Sequence, residues 1–151
     1  LQTFLPYPDY AESAKVLDMS RLGKQRVEVI QIFNVLHEID GAHLKPHGRH
    51  PACLMWKGYE IQLAEYGLTI CEEWIGRGYK DTCFDKISYH LEMASSGDST
   101  MTPPPWFGNP DFHIAHQSNL LRKDPDYYRP FFGEEVPDDL PYIWPTHSGL
   151  M

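Results

Sequence analysis

The sequence predicts a mainly α-helical fold: one compact domain over residues 1–151, closed by a Pro-rich tail. Three observations lead there. Apolar residues recur at spacings of three and four along two long stretches. Proline and cap residues stand where helices would begin, at Pro51 and at Asn109-Pro110. No period-2 alternation of useful length occurs, and no repeat or heptad array is visible.

Residues 1–9 are expected to be short and extended, with Pro6 and Pro8 as punctuation. Tyr10 to Leu17 suit one or two helical turns. The first long helix is expected from Arg21 to about Ile39, N-capped by Ser20. Leu22, Val29, Ile30, Phe33 and Leu36 would share one of its faces. A loop containing Pro46 follows over 41–48. Pro51 suits the first turn of a second long helix ending near Gly76-Arg77-Gly78. Along it Met55, Tyr59, Leu63, Tyr66, Ile70 and Trp74 form one apolar line, and Ile61, Leu68 and Ile75 a second. A helix apolar on two sides belongs at the centre of the core, and Trp56 is expected there too.

A shorter helix is expected from about Thr82 to Met93, then a mobile or ligand-covering loop over 95–105. Asn109 caps a third helix that Pro110 opens and that runs to about Lys123. Pro125 to Phe132 suits a last short helix. The tail, 133–151, is too rich in proline for helix and is expected to wrap the body through Tyr142, Ile143 and Trp144.

Bulk properties narrow the class. The 151 residues, 42% hydrophobic and 13% aromatic, suffice for one core. No apolar run approaches the roughly 20 residues a membrane span needs, and the first residues do not read as a secretory signal. Cys53 and Cys71, taken on one helix, would stand roughly 27 Å apart, beyond disulfide reach. With Cys83 the count is odd, which suggests reduced thiols and a cytoplasmic protein. The net charge of −8 opposes indiscriminate nucleic-acid binding. Much of the acid lies in the tail and the second long helix, so a local basic groove for DNA is compatible with it.

The segment Arg21-Leu22-Gly23-Lys24-Gln25-Arg26 is the most informative. Three cations at a helix N-terminus oppose the macrodipole by about 0.3–1 kcal/mol each. An anionic ligand such as phosphate gives them a reason; ordinary helix formers on a solvated face are the alternative. Gly48-Arg49-His50-Pro51 leads into the second helix, where backbone N–H groups, Arg49 and His50 offer an anion site. His113 and His116 lie three apart on one helix face. Such a pair can be half of a zinc site, but no HExxH and no CxxC accompanies it. Buried imidazoles satisfied by neighbours, or proton transfer and anion contact without metal, are the other readings. His116, Asn119 and Lys123 follow i, i+3, i+7 and project to one side, with Arg122 beside them. Cations near a helix C-terminus also suit the dipole. No metal and no cofactor is expected.

In order, TFLPYPDY, VLDMSRLGKQRVE, HPACLMWKGYE, EEWIGRGYKDT, FHIAHQSNLLRKDPDYY and VPDDLPYIWP resemble the pyrimidine dimer DNA glycosylase family, and most closely its bacterial and phage branch. The resemblance covers about residues 2–145. It implies a compact helical fold that cleaves the glycosidic bond of a damaged pyrimidine and then nicks the abasic site. It also implies an α-amine nucleophile that forms an imine with the sugar, a glutamate early in the chain, and arginines that bind phosphates. An α-amine with the ordinary pKa of about 7.7–8.0 is partly neutral near pH 7 and can attack. Extruding a base costs a few kcal/mol, less when it is damaged. An ungapped match through Arg26 sets Gly23 where the glutamate should stand. Glu28 is the nearest carboxylate in that helix, over a turn away.

The first functional expectation is therefore a DNA N-glycosylase, with or without abasic-site lyase activity, working as a monomer on damaged or modified pyrimidines. Leu1, through its α-amine, or else Lys24 would be the nucleophile. His50, His113 and His116 would move protons or stabilise the leaving base. Arg21, Arg26, Arg49, Arg122 and Lys123 would hold phosphates, and Gln25 and Asn119 would orient sugar or base. Two other classes remain open on the same residues: a hydrolase or lyase for a free nucleoside, nucleotide or other small phosphorylated ligand, and a non-enzymatic descendant that binds nucleic acid or protein.

Overall fold

The computed structural model describes residues 1–40, 50–146 and 149–150, with the side chains of 38–40, 146, 149 and 150 excepted. The described chain is mainly helical: α1 Tyr10–Val16, α2 Met19–Asp40, α3 Pro51–Leu54, α4 Glu60–Gly76, α5 Phe84–Ser95, α6 Pro110–Lys123 and α7 Pro125–Phe132. Near the C-terminus Pro145–Thr146 pairs antiparallel with Gly149–Leu150.

Helix α4 is the hub, packing on α5, α2 and α1. Leu63, Ala64, Tyr66 and Ile70 are buried along it. Gly67 lets α2 approach, because a Cβ there would sit 2.8 Å from a Val29 methyl. The second apolar line is only partly used: Ile61 is buried, Leu68 is half-buried, and Ile75 is 48% exposed.

Four expectations are corrected. Helix α2 begins at Met19, and Asp18 rather than Ser20 receives its first N–H groups: the Leu22 amide donates to the Asp18 carbonyl and the Arg21 amide to its carboxylate. On α2 the buried stripe runs Leu22, Val29, Ile32, Phe33 and Leu36, while Ile30 is half-buried. The expected second helix is two helices. His50 caps α3, and the chain then turns through Gly58 at φ 87° before α4 starts. Cys53 and Cys71 therefore do not share a helix, so their separation does not follow from helical rise. All three cysteines are buried and free, and burial pushes the Cys53 thiol up to about 11. The shorter helix expected from about Thr82 to Met93 lies two residues later, from Phe84 to Ser95.

Helices α6 and α7 keep their expected bounds, since each has a side-chain cap followed by a first-turn proline. Asn109 accepts from the Asp111 and Phe112 amides, and Asp124 from the Tyr127 amide. The tail then crosses α6. The Leu140 amide donates to Ser118 Oγ, while Asn119 and Arg122 donate to the Leu140 carbonyl. Tyr142, Ile143 and Trp144 pack onto the core from there.

Candidate active-site pocket

The first residues are threaded through the molecule. Residues 2–6 are buried yet pair with no strand, so their backbone must be satisfied by side chains. Helix α2 supplies Gln25, whose oxygen accepts from Phe4 N–H at 3.0 Å and whose nitrogen donates to the Gln2 carbonyl at 2.9 Å. Helix α4 supplies the Tyr66 hydroxyl, 2.8 Å from the Phe4 carbonyl. Helix α6 supplies His116 Nδ1, which accepts from Leu5 N–H at 2.9 Å, and His113 Nδ1, which donates to the Leu5 carbonyl at 2.8 Å. His113 Nε2 accepts from Gly108 N–H, which fixes that ring as the neutral Nδ1–H form. Burial, with the neighbouring His113, pushes the His116 imidazole down to about 3.

This segment delivers Leu1 and Gln2 to a cavity of about 670 Å³. Arg21, Lys24, Gln25 and Glu28 of α2 form one wall, with Asp18 and Ser20 at its end. His50, Lys123 of α6, and Tyr142 and Trp144 of the tail form the other. Trp144 meets the His50 ring edge-on at 6.0 Å, and the Tyr142 ring lies tilted against Trp144 at 5.4 Å.

Glu28 is the buried charge of the cavity, 8% exposed. Burial pushes its carboxyl above the ordinary carboxylate range. The α-amine at Leu1, Lys24, the Gln25 amide and the Gln2 N–H pull the other way without cancelling that. Asp18 is handled differently. Burial opposes its ionisation, but hydrogen bonds from the Tyr128 hydroxyl and Arg21 hold it below its ordinary value. Arg21 is thereby half neutralised, so Lys24 and Lys123 are the pocket's exposed cations.

The sequence-derived candidates divide. Leu1, Arg21, Lys24, Gln25, His50 and Lys123 line the cavity together. His113, His116, Asn119, Arg122 and Arg26 are not among its lining residues. His113 and His116 hold the Leu5 backbone, while Asn119 and Arg122 hold the tail. Arg26 lies over the Trp74 ring at 4.3 Å and pairs with Asp81 at 2.5 Å, a carboxylate only 2% exposed. Arg49 lies outside the described residues.

Asp18, Glu28, Tyr142 and Trp144 line the cavity without having been among the site candidates. Glu28 carried a signal, standing three residues beyond Gln25 in a stripe that is otherwise apolar. Tyr142 and Trp144 carried none, because their position depends on the path of the tail. Gly23 faces away: a Cβ there would lie 3.0 Å from Trp74 ring atoms, so a side chain at that position would press on the Trp74 ring.

Neither a curated protein nor a solved structure matches the chain. The family model described as pyrimidine dimer DNA glycosylase matches residues 1–87. That span is more than half of the 151 residues and contains the first residues and the α2 wall of the cavity, and the chain belongs to the pyrimidine dimer DNA glycosylase family.

Proposed function

We propose that the protein is a DNA glycosylase with abasic-site lyase activity on damaged or modified pyrimidines, and that its chemistry runs between an amine and Glu28. One observation carries this reading: Leu1, Lys24 and the buried Glu28 line one cavity that also holds Lys123 and two half-buried aromatic rings.

The neutral amine attacks C1′ of the extruded nucleotide. The glycosidic bond breaks, and the base leaves with the bonding electrons and takes up a proton. The nitrogen gives up one proton, the C1′–O4′ bond breaks with O4′ taking a proton, and a protonated imine joins the nitrogen to C1′ of the opened sugar. Removal of a C2′ proton then expels the 3′ phosphate. Glu28 is the base for these transfers; burial raises its affinity for protons toward the working pH, as a general base requires. The α-amine serves where Leu1 is the first residue of the mature chain, and Lys24 is the other amine in the cavity. Tyr142 and Trp144 stack the extruded base. Lys123 and the half-paired Arg21 hold the flanking phosphates.

The test is trapping with borohydride on duplex DNA that carries a thymine dimer or an abasic site. A covalent adduct mapped to Leu1 or Lys24 is expected. Absence of both adduct and strand scission would overturn the reading. Stabilisation by free nucleotides in a melting assay would then favour a small phosphorylated ligand, in line with the net charge of −8.

A further inference from the structure

Gln25 is 1% exposed, in the stripe of α2 that otherwise carries Leu22, Val29, Ile32 and Leu36. A buried amide is tolerated only when its hydrogen-bonding positions are filled. Here all four are. The oxygen accepts from Phe4 N–H at 3.0 Å and, at 2.7 Å, shares the single proton of the Tyr66 hydroxyl with the Phe4 carbonyl. The nitrogen donates to the Gln2 carbonyl at 2.9 Å and to Glu28 Oε2 at 2.7 Å. The orientation of the amide is not free. A backbone N–H cannot donate to an NH2 group, so the end that meets Phe4 is oxygen and the end that meets Glu28 is nitrogen. Gln25 has no capacity left for a sugar or a base.

The two hydrogens of one planar NH2 group thus grip the backbone at position 2 and the carboxylate of Glu28. Their fixed angle sets where the first residue lies relative to that carboxylate. Without this bond Glu28, whose charge burial disfavours, would gain by turning toward water. Tyr66, itself wholly buried, closes the oxygen end of the amide and keeps it from rotating.

We propose that Gln25, locked by Tyr66, is a positioning residue that aims the Glu28 carboxylate at the amine of the pocket. This rests on the reading of Glu28 as the carboxylate of the reaction. The test therefore has one arm that needs no turnover. The titration of the Glu28 carboxyl is followed by carbon-13 NMR in the wild type, Tyr66→Phe, Gln25→Met and Gln25→Glu. The α-amine at Leu1, Lys24, Tyr66 and Tyr142 act on Glu28 or feel its charge, and Asp18, Arg21, His50 and Lys123 line the same cavity; Gln25→Met and Gln25→Glu leave all of these in place.

Loss of the donor in Gln25→Met moves the Glu28 midpoint upward by about half a unit or more. Gln25→Glu, nearly isosteric, moves it further because a second carboxylate then faces the first. Tyr66→Phe shifts it the same way by less, with folding retained. In an abasic-site lyase assay kcat falls in the same order, KM stays within about twofold, and the acid limb of the pH profile follows the NMR midpoint.

An unchanged Glu28 titration across the set overturns the proposal. So does loss of melting temperature and kcat with the pH profile unmoved, since packing alone would do that. Should Gln25→Met not fold, Tyr66→Phe decides by the same two readouts. Wild-type protein without lyase activity on any abasic duplex overturns the assigned role of Glu28, while the titration still decides whether Gln25 holds it.

Discussion

Gly23 and Glu28 lie on different faces of α2, and the proposed carboxylate is the one that faces the cavity. A side chain at position 23 would run into Trp74, whereas Glu28 turns into the cavity and accepts from Gln25. Glu28→Gln keeps the shape and the acceptor oxygen but removes the base. Its turnover on an abasic duplex should fall by about 10²–10⁴, the usual worth of general acid–base catalysis. The same change should raise the melting temperature at pH 7. With a carboxyl shifted upward by burial, the folded state binds its proton more tightly than the unfolded state, so wild-type stability falls as pH rises through that window. The advantage of Glu28→Gln should therefore be largest at neutral pH and shrink below the ordinary carboxylate range, which melting curves at several pH values would reveal. Arg26 gives the opposite lesson. Its guanidinium is spent on Asp81, where burial is outweighed by hydrogen bonds from Arg26 and from the Phe84 and Cys83 amides, and that carboxyl is held low. Arg26→Ala should cost about 3 kcal/mol or more by leaving Asp81 unpaired. Adding Asp81→Asn should restore part of this in urea unfolding; additive losses would show that the pair is not coupled.

At the scale of elements, the first segment behaves as a central strand without a sheet, because α2, α4 and α6 complete its hydrogen bonds. His116 makes that arrangement sensitive to acid. A folded imidazole at about 3, against roughly 6.5 when unfolded, means that the unfolded chain binds the proton first as pH falls. The stabilisation is complete above about pH 6.5 and is lost progressively toward pH 3, and His113, also lowered by burial, adds to the slope. His116→Asn, which retains an acceptor near Nδ1, should be less stable at pH 7 but show a flatter stability curve between those limits. A curve parallel to wild type would remove His116 as the cause. The helices were legible wherever a cap and a proline coincided: Asn109-Pro110 and Asp124-Pro125 fix α6 and α7 by local chemistry alone. The stretch 51–76 was not, because the rhythm of Met55, Tyr59 and Leu63 runs across the break. Gly58 supplied the turn signal, but apolar spacing does not register a residue at φ 87°. The side-chain support of residues 2–6 was beyond reach for another reason. It joins positions more than a hundred residues apart, such as Leu5 and His116, that no local pattern relates.

Across the whole molecule, the cavity is assembled from both sides of the family match. Residues 1–87 bring the first residues, the α2 wall and His50, while Lys123, Tyr142 and Trp144 come from beyond it. This is why the α2 wall was partly legible as a basic helix start and the opposite wall was not. The His116, Asn119 and Lys123 face of α6 suggested a ligand surface, yet its first two members are consumed by the chain's own backbone. Only Lys123, at the helix end, reaches the cavity. The same division limits affinity for DNA. A protein of net charge −8 repels a duplex everywhere except where its cations cluster, so few counterions should be released on binding. With Lys24 and Lys123 exposed and Arg21 paired with Asp18, the proposed site would contact about two or three phosphates. The logarithm of affinity should then fall against the logarithm of salt with a slope of about −2 to −3, at roughly −0.9 per contact. Lys123→Glu should make that slope shallower by about one and weaken binding to damaged and undamaged duplex alike, since phosphate contacts carry little sequence information. Fluorescence anisotropy across a salt series measures both quantities. A steep slope that Lys123→Glu leaves unchanged would mean that DNA is held by a surface other than this cavity.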